Sequence, residues 1–508
     1  MAQPALPPHF ILFASLLESE ATDLFEFDTP LWLTRAPGAF GVIGGPGEQL
    51  GSPTFSVSIG RDVSCAIQNR RDNDIHIRIL AGGPEGEDLN WSGQISDIYT
   101  KKGPPRSPAV LRSLFEETDS LWMERMMAIM IGLRRSHQLN TPKFGFSLVI
   151  WSRLPGTKAY ASRTAFASGV SMAFKASTGL DKKRVDGIRL ARAVTQGHQD
   201  VLGEHLRVSD ALTCSLGEQQ CGIFIEHGVD PVMQWIPLGE NALLAAVDLG
   251  FGEIADYDTR IASATGPAMG MAYLNAGLKK EKKEGYGGWA QITPGEFEGG
   301  LRNYVPTKEL GAEWLKRFAK QYPDVAEHVS PDRSYRLRAL AEHAVRESGR
   351  SHRFLEQINE FARTRRDDHL MEAGKVLFSS HRSLKEKCSI RDDRIEDFVA
   401  RILNTGKDTN LYGARLTGTG RDSVVVVIGH TDGEEELRDI FHKFCDDHET
   451  RGTILLETSR GAAVSGWWEG VIQPKEEEAP QEAAEAEKAN SEAPSEEKEK
   501  EATSAVKE

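Results

Sequence analysis

The stretch Phe144 to Gly179, FGFSLVIWSRLPGTKAYASRTAFASGVSMAFKASTG, constrains the chain more than any other. Phe146, Leu148 and Ile150 alternate with other residues, which is the period of a strand. Leu154 and Pro155 end it, because proline cannot donate to a sheet ladder. A helix is expected to restart near Ser162, a good N-cap residue. Phe166, Val170, Ala173 and Phe174 then share one helical face. Ala165, Ala167, Ser168 and Gly169 are small, so the first turns can lie against another backbone or a ligand. A helix whose free N–H groups emerge from a loop is an anion site, and Lys158 and Arg163 add positive charge at its mouth. Two readings follow: a phosphate cradle, or an ordinary β–α connection with a solvated lysine and arginine.

The 508 residues allow two or more domains, each with its own core. The formal charge is −14, and half of it is local, since residues 475–508 carry twelve glutamates against five lysines. The nearly balanced remainder gives no support to a nucleic-acid or anionic-membrane partner. Cys65, Cys214, Cys221, Cys388 and Cys445 are odd in number and lack a CxxC pair, so neither a disulfide framework nor a zinc site is indicated. The start, MAQPALPPHFILFASLLESEA, has no basic region before its short apolar run. It reads as neither signal peptide nor membrane span, and a reducing cytoplasm is expected.

In chain order, residues 1–30 read as an irregular, proline-containing arm. A strand starts at Leu31 and runs into RAPGAFGVIGGPGEQLGS (Arg35–Ser52), where six glycines require tight turns or close approach. Phe55, Val57 and Ile59 alternate, as do Ile75, Ile77 and Ile79. Helical spacing follows from Leu111 to Ile131. Arg184–Leu206 reads as helix, Asp210–Gly222 as a short helix, and Ile223 and Ile225, then Val232, Met233 and Trp235, as strand. The passage Pro237–Gly239 is the expected boundary between domains spanning 31–238 and 239–473. Ala242–Leu249 is an apolar strand, the segment after Tyr257 a helix, and Lys279–Glu284 a solvated charge run. Residues 307–404 are helical. Ala414–Thr417 and Ser423–Ile428 form a hairpin, followed by a helix near Leu437 and a strand at Thr453–Leu456, an α+β layer with helices on one sheet face. From residue 474 the tail lacks apolar content and is expected to be disordered.

Three segments, RAPGAFGVIGGPGEQLGS, LPGTKAYASRTAFASG and LYGARLTGTGRDSVVVVIG, stand in the order of the three motifs of the GHMP small-molecule kinases. The chain resembles their galactokinase and L-arabinokinase branch, also in VSDALTCSLGEQQCG, DLGFGEIADYDTRIASATGPAMG, YGGWAQITPGEFE and LFSSHRSL. The resemblance implies an α+β, two-domain GHMP-kinase-like fold with the site in the interdomain cleft. It implies an ATP- and Mg²⁺-dependent sugar kinase that phosphorylates a monosaccharide hydroxyl, typically the anomeric one. Asp210 stands at the family's catalytic aspartate, where a carboxylate can take the hydroxyl proton. Glu48 matches an aspartate that binds sugar hydroxyls, and Tyr257 a tyrosine that contacts the sugar. Ser162 matches a phosphate-loop serine that serves Mg²⁺, with Thr164 beside it. Lys158 and Arg163 would neutralise phosphates, and Gly418 and Gly420 belong to the third motif that borders them. Each also has a plain reading: a surface Asp or Tyr, an N-cap, a hairpin turn.

The sequence departs from the pattern elsewhere. Ala159 and Tyr160 put side chains where the backbone should approach the nucleotide. The metal-binding glutamate falls at Ser168, the first-motif arginine at Ala39, and later glycines of the third motif at Arg421 and Asp422. Losing one preorganised electrostatic partner typically costs on the order of 10²–10³ in rate, unless Lys158, Arg163 or Arg421 takes over. The alternative is a catalytically impaired pseudokinase that acts as a sugar-binding sensor or scaffold. The active reading requires the Asp210 carboxylate to face, across a crevice, the helix opening near Ser162.

Overall fold

The computed structural model describes residues 5–45, 48, 51–81, 87–101, 103–116, 121–139, 144–154, 160–179, 185–228, 230–252, 254–418, 420 and 423–471. The acidic tail, Lys158, Ala159, Arg421 and Asp422 lie outside them. The fold is α+β and is built on two sheets. The first contains β1 (Pro30–Ile43), β2 (Thr54–Asn69), β3 (Asp74–Leu80), β4 (Leu89–Gln94), β5 (Phe146–Ser152), β6 (Cys221–Glu226) and β7 (Val232–Pro237). The second contains β8 (Ala242–Asp248), β9 (Leu411–Leu416), β10 (Val424–His430) and β11 (Thr453–Leu455). A last strand, β12 (Trp467–Val471), returns to the first sheet and pairs antiparallel with β1, Thr34 opposite Trp467.

β2 pairs with β1 and is long enough to serve two further partners, β6 along Thr54–Val57 and β5 along Val63–Asn69. In the first sheet β3 and β5 run parallel; the second sheet is antiparallel throughout, in the order β9-β10-β8-β11. The strand that starts before Leu33 runs well into the glycine-rich segment, where a Cβ at Gly38 or Gly44 would meet neighbouring atoms at 2.7 Å. The segment continues β1 to Ile43, with register shifts at Pro37–Ala39 and Gly41–Ile43 that bend the strand and re-aim its end.

The arm is not irregular either. Phe10, Phe13 and Leu17 are buried, and α1 (Ile11–Glu20) packs them against Leu31, Leu33, Ala66 and Val149 on one face of the first sheet. The other face carries α2 (Leu121–Arg135), α3 (Ser162–Ser177), α4 (Gly187–Leu202) and α5 (Val208–Leu216). α6 (Tyr257–Lys280), α7 (Leu337–Thr364), α8 (Asp367–Cys388), α9 (Asp393–Asn404) and α10 (Glu434–Asp447) accompany the second sheet. That sheet is buried on both faces, not one. Leu244, Ala246 and Val426 pack with Phe354 and Phe361, while Ala245, Val247 and Val427 pack with Phe398 and Phe444. Phe55 of β2 meets Phe354 of α7 edge to face at 5.2 Å, so one apolar core joins the two sheets. Among the described residues no helix is long and apolar enough to cross a membrane.

Candidate functional site

The bulged end of β1 is where the separate motifs meet. The Ala39 N–H donates to the Tyr160 carbonyl at 2.9 Å. A Cβ at Gly38 would lie 2.7 Å from that same oxygen and from Leu154 Cδ2, so only glycine fits there. Tyr160 and Ala161 both adopt the left-handed conformation, at φ 58° and 55°, which costs an L-residue roughly 1–2 kcal/mol. This double turn starts α3 beside β1. It makes Ala161 the N-cap and moves Ser162, the expected cap, to the first helical position. Among the described residues no side chain caps this helix end. Among them, too, the buried hydroxyls of Ser162 and Ser168 have no hydrogen-bond partner, and Thr164 is buried between them in sequence. The Tyr160 ring is turned into the core. Arg163, expected to face phosphates, donates from Nη1 to Glu204 Oε1 at 2.7 Å, and Arg125 stands 3.9 Å from the same oxygen.

Two residues further along β1, roughly 7 Å at strand rise, lies Gly41. A Cβ there would come within 3.4 Å of both terminal nitrogens of Arg207. Arg207 is the N-cap residue of α5 and Asp210 lies in its first turn. Nη1 of Arg207 is 3.6 Å from Asp210 Oδ1, and its Nε and Nη2 each reach Glu48 Oε2 at 3.1 Å. Ser209 donates its N–H to Glu48 Oε1 at 2.8 Å and its hydroxyl to Oε2 at 2.7 Å. Both Glu48 oxygens are thus committed to orienting Arg207 and the start of α5. Burial opposes ionisation of Glu48, but Arg207, His227 and the two Ser209 bonds outweigh it and hold its pKa below the usual value. Asp210 goes the other way: burial, helped by the Glu48 charge and partly offset by Arg207, pushes it up to about 6.

The third motif closes on the same point. Thr417 Oγ1 donates to the Gly41 carbonyl at 2.5 Å. A Cβ on Gly45 would stand 3.4 Å from the Gly418 carbonyl oxygen. Gly418 and Gly420 have φ of +66° and +79°, a turn that L-residues resist. The Gly420 carbonyl accepts from the Ile254 and Ala255 amides at 3.1 and 2.8 Å. Tyr257, two residues on, opens α6 with 66 % of its surface exposed. It stands on the surface beside Arg260, 6.0 Å away.

This arrangement, with the bulged strand end meeting the α3 mouth, the Arg207–Asp210 pair and the third-motif hairpin, can be set beside known proteins. No family model matches the chain. It is 21% identical over 467 residues to L-arabinokinase of Arabidopsis thaliana, covering 80% of this chain and 44% of that protein. The chain therefore spans less than half the length of that curated relative. The galactokinase of Lactococcus lactis, solved with galactose, superposes with a TM-score of 0.66 at 14% identity, over 89% of this chain and 99% of that one. This is the GHMP-kinase fold. A Listeria innocua protein superposes at 0.50 with 10% identity, over 88% and 100% of the two chains.

On that fold, Arg207 is the residue the sequence reading missed. Its signal is an arginine three positions before Asp210, at a helix cap, and it supplies a cation beside Asp210 although the first-motif position is Ala39. The GHMP-kinase fold implies ATP and Mg²⁺, and the two fit unequally. The uncapped α3 terminus with the orphaned Ser162 hydroxyl suits a phosphate oxygen. For the metal, Ser162 is the ligand at hand, since Ser168 is neutral and the described residues contain no group of three His, Cys, Asp or Glu that could hold an ion. Such a Mg²⁺ would be held largely by phosphates and water.

Proposed function

We propose that this chain is an ATP-dependent sugar kinase that transfers the γ-phosphoryl group to a monosaccharide hydroxyl, the anomeric one by the family resemblance. One observation carries the reading: a buried carboxylate, Asp210, sits against the Arg207 guanidinium on the strand end that also meets the opening of α3. With a pKa near 6, Asp210 is ionised at pH 7 yet basic enough to accept a hydroxyl proton. Arg207 balances charge beside it, and the α3 amides with Ser162 and Thr164 receive the phosphates, helped by Lys158. Mg²⁺ bound there would neutralise phosphate charge. Tyr257 and the rim near Gly418 and Gly420 border the acceptor.

A second reading, a pseudokinase that senses or scaffolds through sugar binding, is favoured by the neutral Ser168 and by Glu48 having both oxygens occupied. The deciding experiment incubates the protein with Mg²⁺-ATP and a panel of free aldoses, ketoses and reducing disaccharides, and follows sugar phosphate by ³¹P NMR. Product that disappears in Asp210→Asn supports the kinase. Absence of product from every sugar, with sugar binding retained, establishes the second reading.

A further inference from the structure

Beyond the reacting groups, a cleft of about 770 Å³ opens over the Glu48–Arg207 pair. It is lined by Gly45, Glu48 and Arg207, by a face of α4 from Ile188 to Gln199, and by Ala264, Gly287, Gly288, Ala290 and Gln291. Along α4 this lining is roughly 16 Å long at 1.5 Å per residue, several times the width of one sugar ring. The volume lies in the upper part of the 300–1,000 Å³ span of pockets that bury drug-sized ligands, and a free hexose, with about twelve non-hydrogen atoms, would leave much of it to water.

The lining says what fills the rest. Arg207 is paired with Glu48, and Arg192 with Asp230 at 3.1 Å; His205 and His227 also line the cleft, and burial holds both below the usual imidazole range, so no cation among these lining residues is left over to call for an anion. On α4 the remaining polar groups are hydroxyl and amide, Thr195, Gln196 and Gln199, beside an apolar strip of Ile188, Ala191 and Leu212. Polar edges next to an apolar face match a sugar ring, which presents hydroxyls around its rim and C–H groups on its flat side.

Building on the sugar-kinase reading, with the monosaccharide unit that is phosphorylated carried at the end of a longer saccharide, we propose that the acceptor is a neutral reducing di- or oligosaccharide. Its terminal sugar would sit at Arg207 with the hydroxyl that reacts, and its further unit would lie along Thr195 and Gln196 toward Ile188. The cleft thereby selects an acceptor substituted away from its reacting hydroxyl.

The test is calorimetric titration of the full chain, without nucleotide, with free monosaccharides and with reducing disaccharides that contain them. Disaccharides are expected to bind roughly tenfold or more tightly. Thr195→Trp, on the partly exposed face of α4, should remove that advantage and leave monosaccharide affinity unchanged; Gln196→Ala should reduce it. Equal or weaker binding of disaccharides, or an equal effect of Thr195→Trp on both classes, overturns the proposal. The two readings fail separately. Disaccharide binding that depends on Thr195, with no phosphate transferred from Mg²⁺-ATP, removes the kinase and keeps the extended site; phosphorylated monosaccharides without a disaccharide preference do the reverse.

Discussion

Nη1 of Arg207 stands 3.6 Å from Oδ1 of Asp210 across the first turn of α5. With Glu48 on the other side of the guanidinium, two buried acids share one cation; burial raises the Asp210 pKa, Arg207 opposes and the Glu48 charge adds, to leave it at about 6. Phosphotransfer that uses Asp210 as base should therefore fall as pH drops through about 6. Arg207→Gln removes the charge that lowers this pKa, so the acid limb of the pH–rate profile should move upward. The rate on the plateau should fall on the order of 10²–10³. An unchanged limb would mean that Arg207 does not act on Asp210.

Asp210 also predicts a trade between function and stability. Its folded pKa is raised, so its favourable contribution is complete below the unfolded value near 3.8 and is lost as pH rises through about 6. Above that, the native state carries a buried charge that the unfolded chain solvates. Asp210→Asn should be more stable than the parent at pH 8, by about 1–3 kcal/mol, with the difference shrinking toward zero at pH 4. It should also make no sugar phosphate. Urea unfolding at the two pH values gives the comparison.

Much of the fold could be read from local pattern. Ile75, Ile77 and Ile79 became β3, the hairpin around Gly418 formed, and residues 337–404 are helical, because each signal is complete within one element. Phe10, Phe13 and Leu17 had helical spacing too, but the prolines around them read as irregular chain. The return of Trp467 to β1 had no local signal at all, since strand pairing across the whole sequence is set by packing. The site divides along the same line. Asp210, Glu48 and the third-motif glycines lie in quotable motifs, and they converge near Gly41. Arg207 gains its meaning only from Gly41, Glu48 and Asp210, three contacts that spacing cannot reveal. Ser162 moved by one position because the chain spends two left-handed residues, Tyr160 and Ala161, on the turn.

That turn can be tested directly. Gly38→Ala would press a Cβ to 2.7 Å from the Tyr160 carbonyl and 3.0 Å from Ile59 Cδ1, an overpacking that typically costs about 1–3 kcal/mol. It should also push the α3 mouth away from Ala39 and weaken ATP binding. Ala161→Gly suits the left-handed position and should change stability by no more than about 1 kcal/mol. Thermal unfolding together with nucleotide titration of both variants checks the pair, and a tolerated Gly38→Ala would contradict it.

Two buried histidines should make the protein sensitive to mild acid. Burial lowers both His198 and His343 from 6.5 to about 4. Glu204 partly opposes this at His198, where Arg125 and Arg163 add to it; at His343 Glu347 opposes while Arg350 and Arg415 add. For a base with a depressed folded pKa, stability is complete above about 6.5 and declines as pH falls toward 4, because the unfolded chain takes up protons first. Each can contribute up to about 3 kcal/mol of that loss. Urea midpoints at pH 7, 5.5 and 4.5 should fall steadily, and His343→Gln, which keeps a partner for Ser383 (2.8 Å from the imidazole Nδ1), should flatten the slope.

The strand end that carries the site is itself anchored from the second sheet. Arg415 is fully buried and donates to the Gly44 carbonyl at 2.5 Å, to Ser380 Oγ at 2.7 Å and to the Val42 carbonyl at 3.4 Å. Glu347 lies 3.4 Å from the same guanidinium, accepts from the Gly44 N–H at 3.3 Å, and is held by Arg350 at 2.7 Å. Burial lowers Arg415 to about 10; at Glu347 burial is outweighed, chiefly by Arg350 and Arg415, which bring it to about 2. Removing one member of such a group leaves uncompensated polar atoms, so Arg415→Met should cost about 3–5 kcal/mol. The double variant Arg415→Met with Glu347→Gln should lose less than the sum of the two single changes, since each single change strands the other's partner. Gly44 leads into the segment bearing Glu48, so Arg415→Met should also loosen the Arg207 clamp and shift the acid limb of phosphotransfer in the same direction as Arg207→Gln. A double-mutant cycle showing additive losses would mean that Arg415 and Glu347 stabilise the strand end independently, leaving Arg350 and Ser380 as sufficient support for Glu347.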